Sequence, residues 1–237
     1  MLDVRKQAIL EYIVRDYIRT ATPVSSGKMS STGAIDASPA TIRNIMTELD
    51  EEGYITQPHT SAGRIPTEKG YQYFIEHCTE WRDPPKNTQR ELQRAVAGNR
   101  ENIERSFEEV SKALARHLKL FSGIGVWGQN EFLSTHGLSD VFQEPEFMEH
   151  TTTLEFAERI EHIHDEMKKL AMRAHGELTQ LPSVVIGTFG VVSVSYTDPH
   201  GTSYVAFSMG PRRMNYEEAG SLLKYTIEDI INNQNHS

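Results

Sequence analysis

The sequence predicts an α+β protein with a winged helix-turn-helix at its start, a helical stretch in the middle and a small antiparallel sheet with helices at its end. Three observations carry this. Residues 38–53 spell a helix delimited at both ends, and hairpin-like sequence follows at once. Apolar positions between Leu92 and Phe121 recur at alternating steps of four and three. The runs 183–186, 190–196 and 203–209 read as strands, with turn formers dense between the last two.

The first helix is expected from about Asp3 to about Thr20. Leu10, Ile13, Val14, Tyr17 and Ile18 fall on its inner side, Glu11, Arg15 and Arg19 on its wet side, and Glu11 and Arg15 have the favourable i,i+4 order. A loop, Thr22-Pro-Val-Ser-Ser26, ends in capping residues. A short second helix therefore starts near Ser25 or Ser26, and Gly33 stops it.

Ser38 offers an oxygen to a free first-turn amide, Pro39 suits the first helical position, and Gly53 suits the left-handed turn after the last. Between them Ile42, Ile45, Met46 and Leu49 form one apolar stripe. Ala40, Arg43, Asn44 and Thr47 point the other way, small and polar where a recognition helix touches base edges in a major groove. Arg43 can fork onto guanine, Asn44 can pair with adenine, Ala40 leaves room for a thymine methyl, and Ser38 and Thr41 can hold phosphates. The plain alternative is an amphipathic helix with a solvated face.

After Gly53, Tyr54-Ile-Thr-Gln57 alternates like a strand and Arg64-Ile-Pro66 can pair back against it. The tip between them offers His59, Thr60, Ser61 and Gly63, the glycine allowing close approach to a phosphate. Arg64 at the base can enter a minor groove or hold the backbone. Thr67 caps a further helix whose Tyr71, Phe74, Ile75, Cys78 and Trp81 close the domain, with Cys78 as a buried thiol.

Charge does not favour an indiscriminate grip on a polyanion. The whole chain carries −9, and residues 1–81 carry eight basic against eleven acidic side chains. Glu48, Asp50, Glu51 and Glu52, however, cluster at the far end of the candidate recognition helix, so binding would be local and specific. No stretch approaches the roughly 18 apolar residues of a membrane span, and the start lacks a signal-peptide run, so a cytoplasmic protein without membrane association is expected. One cysteine excludes an intramolecular disulfide. No glycine-rich phosphate loop, nucleophile elbow, metal-ligand set or cysteine–histidine constellation is visible, so neither an enzyme nor a cofactor or metal is expected. His162 and His164 diverge on a helix and read as solvated.

Val4-Arg-Lys with Ile9-Leu, Thr22-Pro-Val-Ser-Ser26, Ser38-Pro-Ala-Thr-Ile-Arg-Asn44 and Gln57-Pro-His-Thr-Ser-Ala-Gly-Arg-Ile-Pro-Thr67 with Gly70-Tyr71 closely resemble the heat-inducible transcription repressor HrcA family. The resemblance implies a winged helix that binds an inverted-repeat operator upstream of chaperone genes and is released on heat stress. It also implies a chaperonin partner that keeps the repressor active. Gly210-Pro-Arg-Arg-Met-Asn-Tyr216 resembles a signature near the family's C-terminus, and the final domain is by resemblance GAF-like. The resemblance is strong over 1–81, good over 183–231 and poor over 82–182. The family chain is longer, and the middle of its GAF-like domain and the inserted dimerisation segment have no counterpart here.

The expected domains are 1–81, the winged helix-turn-helix; 82–121, helices that link or dimerise; and 122–237, the GAF-like regulatory or dimerisation domain. In the middle, Leu92, Val96, Asn99, Ile103, Phe107, Val110, Leu114, His117 and Phe121 form a heptad-like seam with a break at Gly98-Asn99. It serves a helix pair lying on the C-terminal domain or, in the sharper reading, the pairing of two chains. Residues 123–128 suggest a strand or irregular segment. A helix from about 151–153 carries Leu154, Ala157, Ile160, Ile163, Met167 and Leu170, and a final one, after Asn215 and Glu218 at capping-box spacing, turns Ala219, Leu222, Leu223, Ile227 and Ile230 inward.

The function expected is a homodimeric, sequence-specific repressor on double-stranded DNA, because an inverted repeat calls for two recognition helices related by a two-fold axis. The alternatives are a winged-helix regulator of other genes with a ligand-sensing C-terminal domain, and a winged helix that binds protein.

Overall fold

The computed structural model describes residues 2–60, 62–97, 102–128, 131–172, 179–186 and 189–234, with backbone alone at 179–186 and 230–234. It is α+β and divides into two compact units, one holding Met1–Thr79 and the other most of the chain from Glu80 onward.

In the first unit the helices are α1 (Val4–Thr20), α2 (Ser26–Ser31), α3 (Pro39–Glu51) and α4 (Glu68–Cys78), with a two-stranded antiparallel ladder of β1 (Ile55–Thr56) and β2 (Ile65–Pro66) before α4. The caps are where local chemistry places them. The Asp3 carboxylate accepts from the amides of Arg5 and Lys6, Ser25 accepts from Lys28 and Ser38 from Thr41. The core is Ile9, Leu10, Ile13, Val14, Val24, Met29, Ile42, Met46, Leu49, Ile55, Tyr71 and Phe74. Tyr17, Ile18 and Ile45 are only half-buried, while Asp16 is buried among these helices, its carboxylate held by Arg19 at 2.7 Å and Lys28 at 2.5 Å.

Two expectations about the end of this unit are corrected. Cys78 is half-buried, because α4 ends at that residue and its stripe stops with it. Trp81 leaves the stripe altogether and lies against the last helix of the second unit, where a Cβ at Gly220 would sit 2.2 Å from its ring. Only glycine lets the indole approach that closely.

The second unit is built on a five-stranded sheet in the order β4-β3-β7-β6-β5, from β3 (Phe121–Trp127), β4 (Phe132–His136), β5 (Thr179–Ile186), β6 (Phe189–Thr197) and β7 (Ser203–Pro211). The pairs β3–β4, β3–β7 and β6–β7 are antiparallel. At the β6–β7 turn the Asp198 carboxylate accepts from the amides of His200 and Thr202, and Gly201 takes a φ of 85°. Its helices are α5 (Lys86–Ala97), α6 (Ile103–Leu118), α7 (Leu138–Val141), α8 (His150–Glu161), α9 (Ile163–Ala171) and α10 (Tyr216–Gln234). In α10 the residues Ala219, Leu222, Leu223 and Ile227 are buried, and Ile230 lies outside the side chains described.

The seam keeps its period but serves the chain's own fold. Phe107, Val110 and Leu114 are buried where α6 packs on β3 and β4, and Phe107 meets Tyr204 of β7 edge to face. Lys119 in the left-handed conformation ends α6, so Phe121 already belongs to β3. The sharper two-chain reading thus loses the side chains it needed, and Gly98 and Asn99 lie outside the described residues. The helix expected over 151–170 is two, broken at His162; Ile163 and Met167 are buried as expected, Phe156 is buried with them, and Leu154 is 50% exposed.

The edge strand β4 was not legible in advance. It is pinned by a buried polar cluster in which Ser111 of α6 meets Ser134 and Nδ1 of His136, each at 2.8 Å. Burial, with the Lys112 ammonium, holds the His136 pKa below the ordinary imidazole value against Glu108 and Glu109. A base whose folded pKa is depressed stabilises the fold above its unfolded pKa, and that stability is lost as pH falls through the folded value. Urea unfolding should therefore show wild type weakening more steeply than His136→Asn below about pH 6.5; equal slopes would refute the assignment.

Candidate nucleic-acid interface

The geometry of α3 follows from its two ends and one stripe. Ile42, Met46 and Leu49 are buried, so Ser38, Ala40, Arg43, Asn44 and Thr47 are exposed, and Thr41 is half-buried. Ser38 is engaged on both sides, accepting from the Thr41 amide and lying 2.9 Å from its hydroxyl. Thr47 donates back to the Arg43 carbonyl at 3.1 Å, which leaves its methyl and both hydroxyl lone pairs for a ligand.

The hairpin after α3 is shorter than expected, two residues a side, and it is seated by a third segment. Val24 exchanges both backbone hydrogen bonds with Arg64, at 2.9 and 2.8 Å, so the loop before α2 extends the ladder. That explains Gly63 differently from the sequence reading: a Cβ there would sit 2.4 Å from the Val24 carbonyl carbon and oxygen. The glycine serves the approach of two backbone segments of the same chain. Gly70 has a like role, since a Cβ would lie 2.1 Å from the Tyr54 carbonyl oxygen.

At the tip His59 and Thr60 are exposed, and Ser61 lies outside the described residues. Arg64 at the base is half-buried rather than free, its Nε 2.8 Å from an Asp50 carboxylate oxygen. Two more of the acids at the end of α3, Glu48 and Glu52, are matched as well. Lys6 bridges Glu48 at 2.9 Å and Glu52 at 2.6 Å, and Lys69 donates to the Glu52 carbonyl while lying over the Tyr54 ring. Cations at a helix C-terminus oppose its partial negative charge, which the carboxylates alone would aggravate.

Arg43 and Thr47 of α3, Gly63 and Arg64 of the wing, and Ser25 and Ser26 at the start of α2 line one groove of about 300 Å³. Four of the residues singled out from sequence thus meet on one concave surface. Sequence reasoning missed Asp50 as the partner of Arg64, Gln57 on the same groove, and the two serines. Both serines had a signal only as candidate caps. Among the described residues no three His, Cys, Asp or Glu side chains gather as a metal site, and no helix is long and apolar enough to cross a membrane.

No protein-family model matches the chain. Among curated relatives, it is 56% identical over 75 residues to the heat-inducible transcription repressor HrcA of Bifidobacterium animalis subsp. lactis, covering 32% of this chain and 20% of that one. It is 39% identical over 115 residues to the HrcA of Pelotomaculum thermopropionicum, covering 48% and 33%. This chain carries an HrcA-like segment. The match spans a third or less of the HrcA relatives' own length. A crystal structure of a hypothetical protein at 2.2 Å resolution shares the fold of the HrcA-like chain, with a TM-score of 0.73 at 18% identity over 97% of this chain and 98% of that one.

Proposed function

We propose that the protein is a sequence-specific transcriptional repressor that holds double-stranded DNA between α3 and the wing. The observation that carries this is the groove shared by Arg43, Thr47, Gly63 and Arg64, which joins a helix face made for base edges to a hairpin base made for phosphates. Arg43 and Asn44 read bases, with Ala40 against a thymine methyl. Ser38, Thr41 and Thr47 take the flanking backbone, and His59, Thr60, Ser61, Gly63 and Arg64 form the wing contact.

The likeness to HrcA supports the rest of the reading: a homodimer on an inverted repeat upstream of chaperone genes, released on heat stress, with the chaperonin as modulating partner. Two α3 helices must then be related by a two-fold axis to meet both half-sites. Occupancy of the operator is what represses.

The test is selection of bound fragments from random DNA, followed by a gel-shift titration in salt. A selected inverted repeat whose affinity falls linearly on a log–log plot against salt is expected, since each neutralised phosphate releases counterions. A winged helix devoted to protein would select no sequence. Arg43→Ala should weaken binding to the selected DNA by about 1–3 kcal/mol and relax base preference at one position in each half-site. Unchanged affinity would remove Arg43 from the interface.

A further inference from the structure

The wing has too few rungs to hold its own tip. Its ladder comprises only Ile55 with Pro66 and Thr56 with Ile65, and the chain between carries the exposed His59 and Thr60. One side chain supplies the missing bonds. The Gln57 amide donates to the Thr60 carbonyl at 3.0 Å and to the Ala62 carbonyl at 2.8 Å, using both its hydrogens. A backbone bond from Ala62 to the His59 carbonyl at 2.8 Å closes the same turn. Gln57 also lines the groove with Arg43 and Arg64, so the turn is fastened from the side that faces α3.

We propose that Gln57 is the positioning residue of the wing: with both amide hydrogens committed to the Thr60 and Ala62 carbonyls, it sets where His59 and Thr60 stand relative to a backbone phosphate. This rests on the DNA-binding reading above. The chemistry is specific to a neutral side-chain amide of this length. Glutamate has the same reach but no donor, and would set a carboxylate against two carbonyl oxygens. Leucine has similar bulk and no polar atom.

The experiment compares wild type with Gln57→Leu and Gln57→Glu on the selected DNA, with amide hydrogen exchange at Thr60 and Ala62 and circular dichroism to verify folding. Both variants should lose about 5- to 150-fold in affinity, as expected for two net hydrogen bonds. The salt slope should stay nearly unchanged in Gln57→Leu, since no Lys or Arg contact is displaced, and base preference at the Arg43 position should be kept. Exchange at Ala62 should quicken in both. A loss confined to Gln57→Glu would mean added charge, not lost donation, and overturns the proposal. So does faster exchange with unchanged affinity, or unchanged exchange. If wild type itself selects no DNA, the DNA-binding reading falls and the proposal with it, whereas wild type bound and Gln57→Leu equally bound sinks the proposal alone.

Discussion

Gly63→Ala is expected to destabilise the N-terminal unit by about 3–5 kcal/mol, combining about 1–3 kcal/mol for overpacking with about 1 kcal/mol for each of two net hydrogen bonds lost. The atoms in the way are backbone: the added methyl would lie 2.4 Å from the Val24 carbonyl and 2.8 Å from the Pro23 carbonyl carbon. They cannot swing aside as a side chain would. The wing must lift, breaking the two Val24–Arg64 bonds that seat it. Denaturant midpoints of the wild type and variant check this, and a midpoint unchanged within error would mean that the loop before α2 yields freely. DNA affinity should fall in parallel, because the groove wall formed by Gly63 and Arg64 moves with the wing.

Asp16→Asn should cost about 1.5–3 kcal/mol, the usual worth of a charge-assisted hydrogen bond. The lower half is expected, because Arg19 and Lys28 are 73% and 38% exposed and water screens them. The asparagine amide would turn a donor toward one of two cations. Burial opposes the Asp16 charge, but the Lys28 and Arg19 hydrogen bonds outweigh it and hold its carboxyl below the usual carboxylate value. A carboxyl with a lowered folded pKa contributes stability above its unfolded pKa and loses it as pH falls through the folded one. The gap between wild type and variant should therefore be full at neutral pH and close below about pH 4. A gap independent of pH would show that packing, not charge, holds Asp16.

What was legible in the sequence was whatever local chemistry decides. Ser38, Pro39 and Gly53 bracket α3 through bonds reaching only a few residues, and the exposure of Ala40, Arg43, Asn44 and Thr47 follows from the stripe they oppose. The antiparallel hairpin of β6 and β7 follows from its turn in the same way. Long-range partners were not legible. Nothing near Arg64 announces Asp50, nothing near Gly63 announces Val24, and nothing near Asp16 announces the Lys28 that α2 brings across to it. The seam from Leu92 to Leu114 shows the opposite limit: its period is plain, but a period says that a face is covered and not by what. Strand β4 escaped because five residues ending in Ser-Thr-His carry too little alternation, their pairing being set by β3.

The matched acids at the end of α3 have an orientational consequence. Lys6, Lys69 and Arg64 tie up the negative pole of that helix from three different elements, while Arg43 nearer its start stays exposed. A polyanion drawing near would feel little repulsion from the quenched end and attraction at the other, so encounters would be rotated into register before contact. Selectivity of approach then comes from the lengthwise arrangement of charge on one short rod, and a domain whose summed charge is negative need not be slow to find an acid partner.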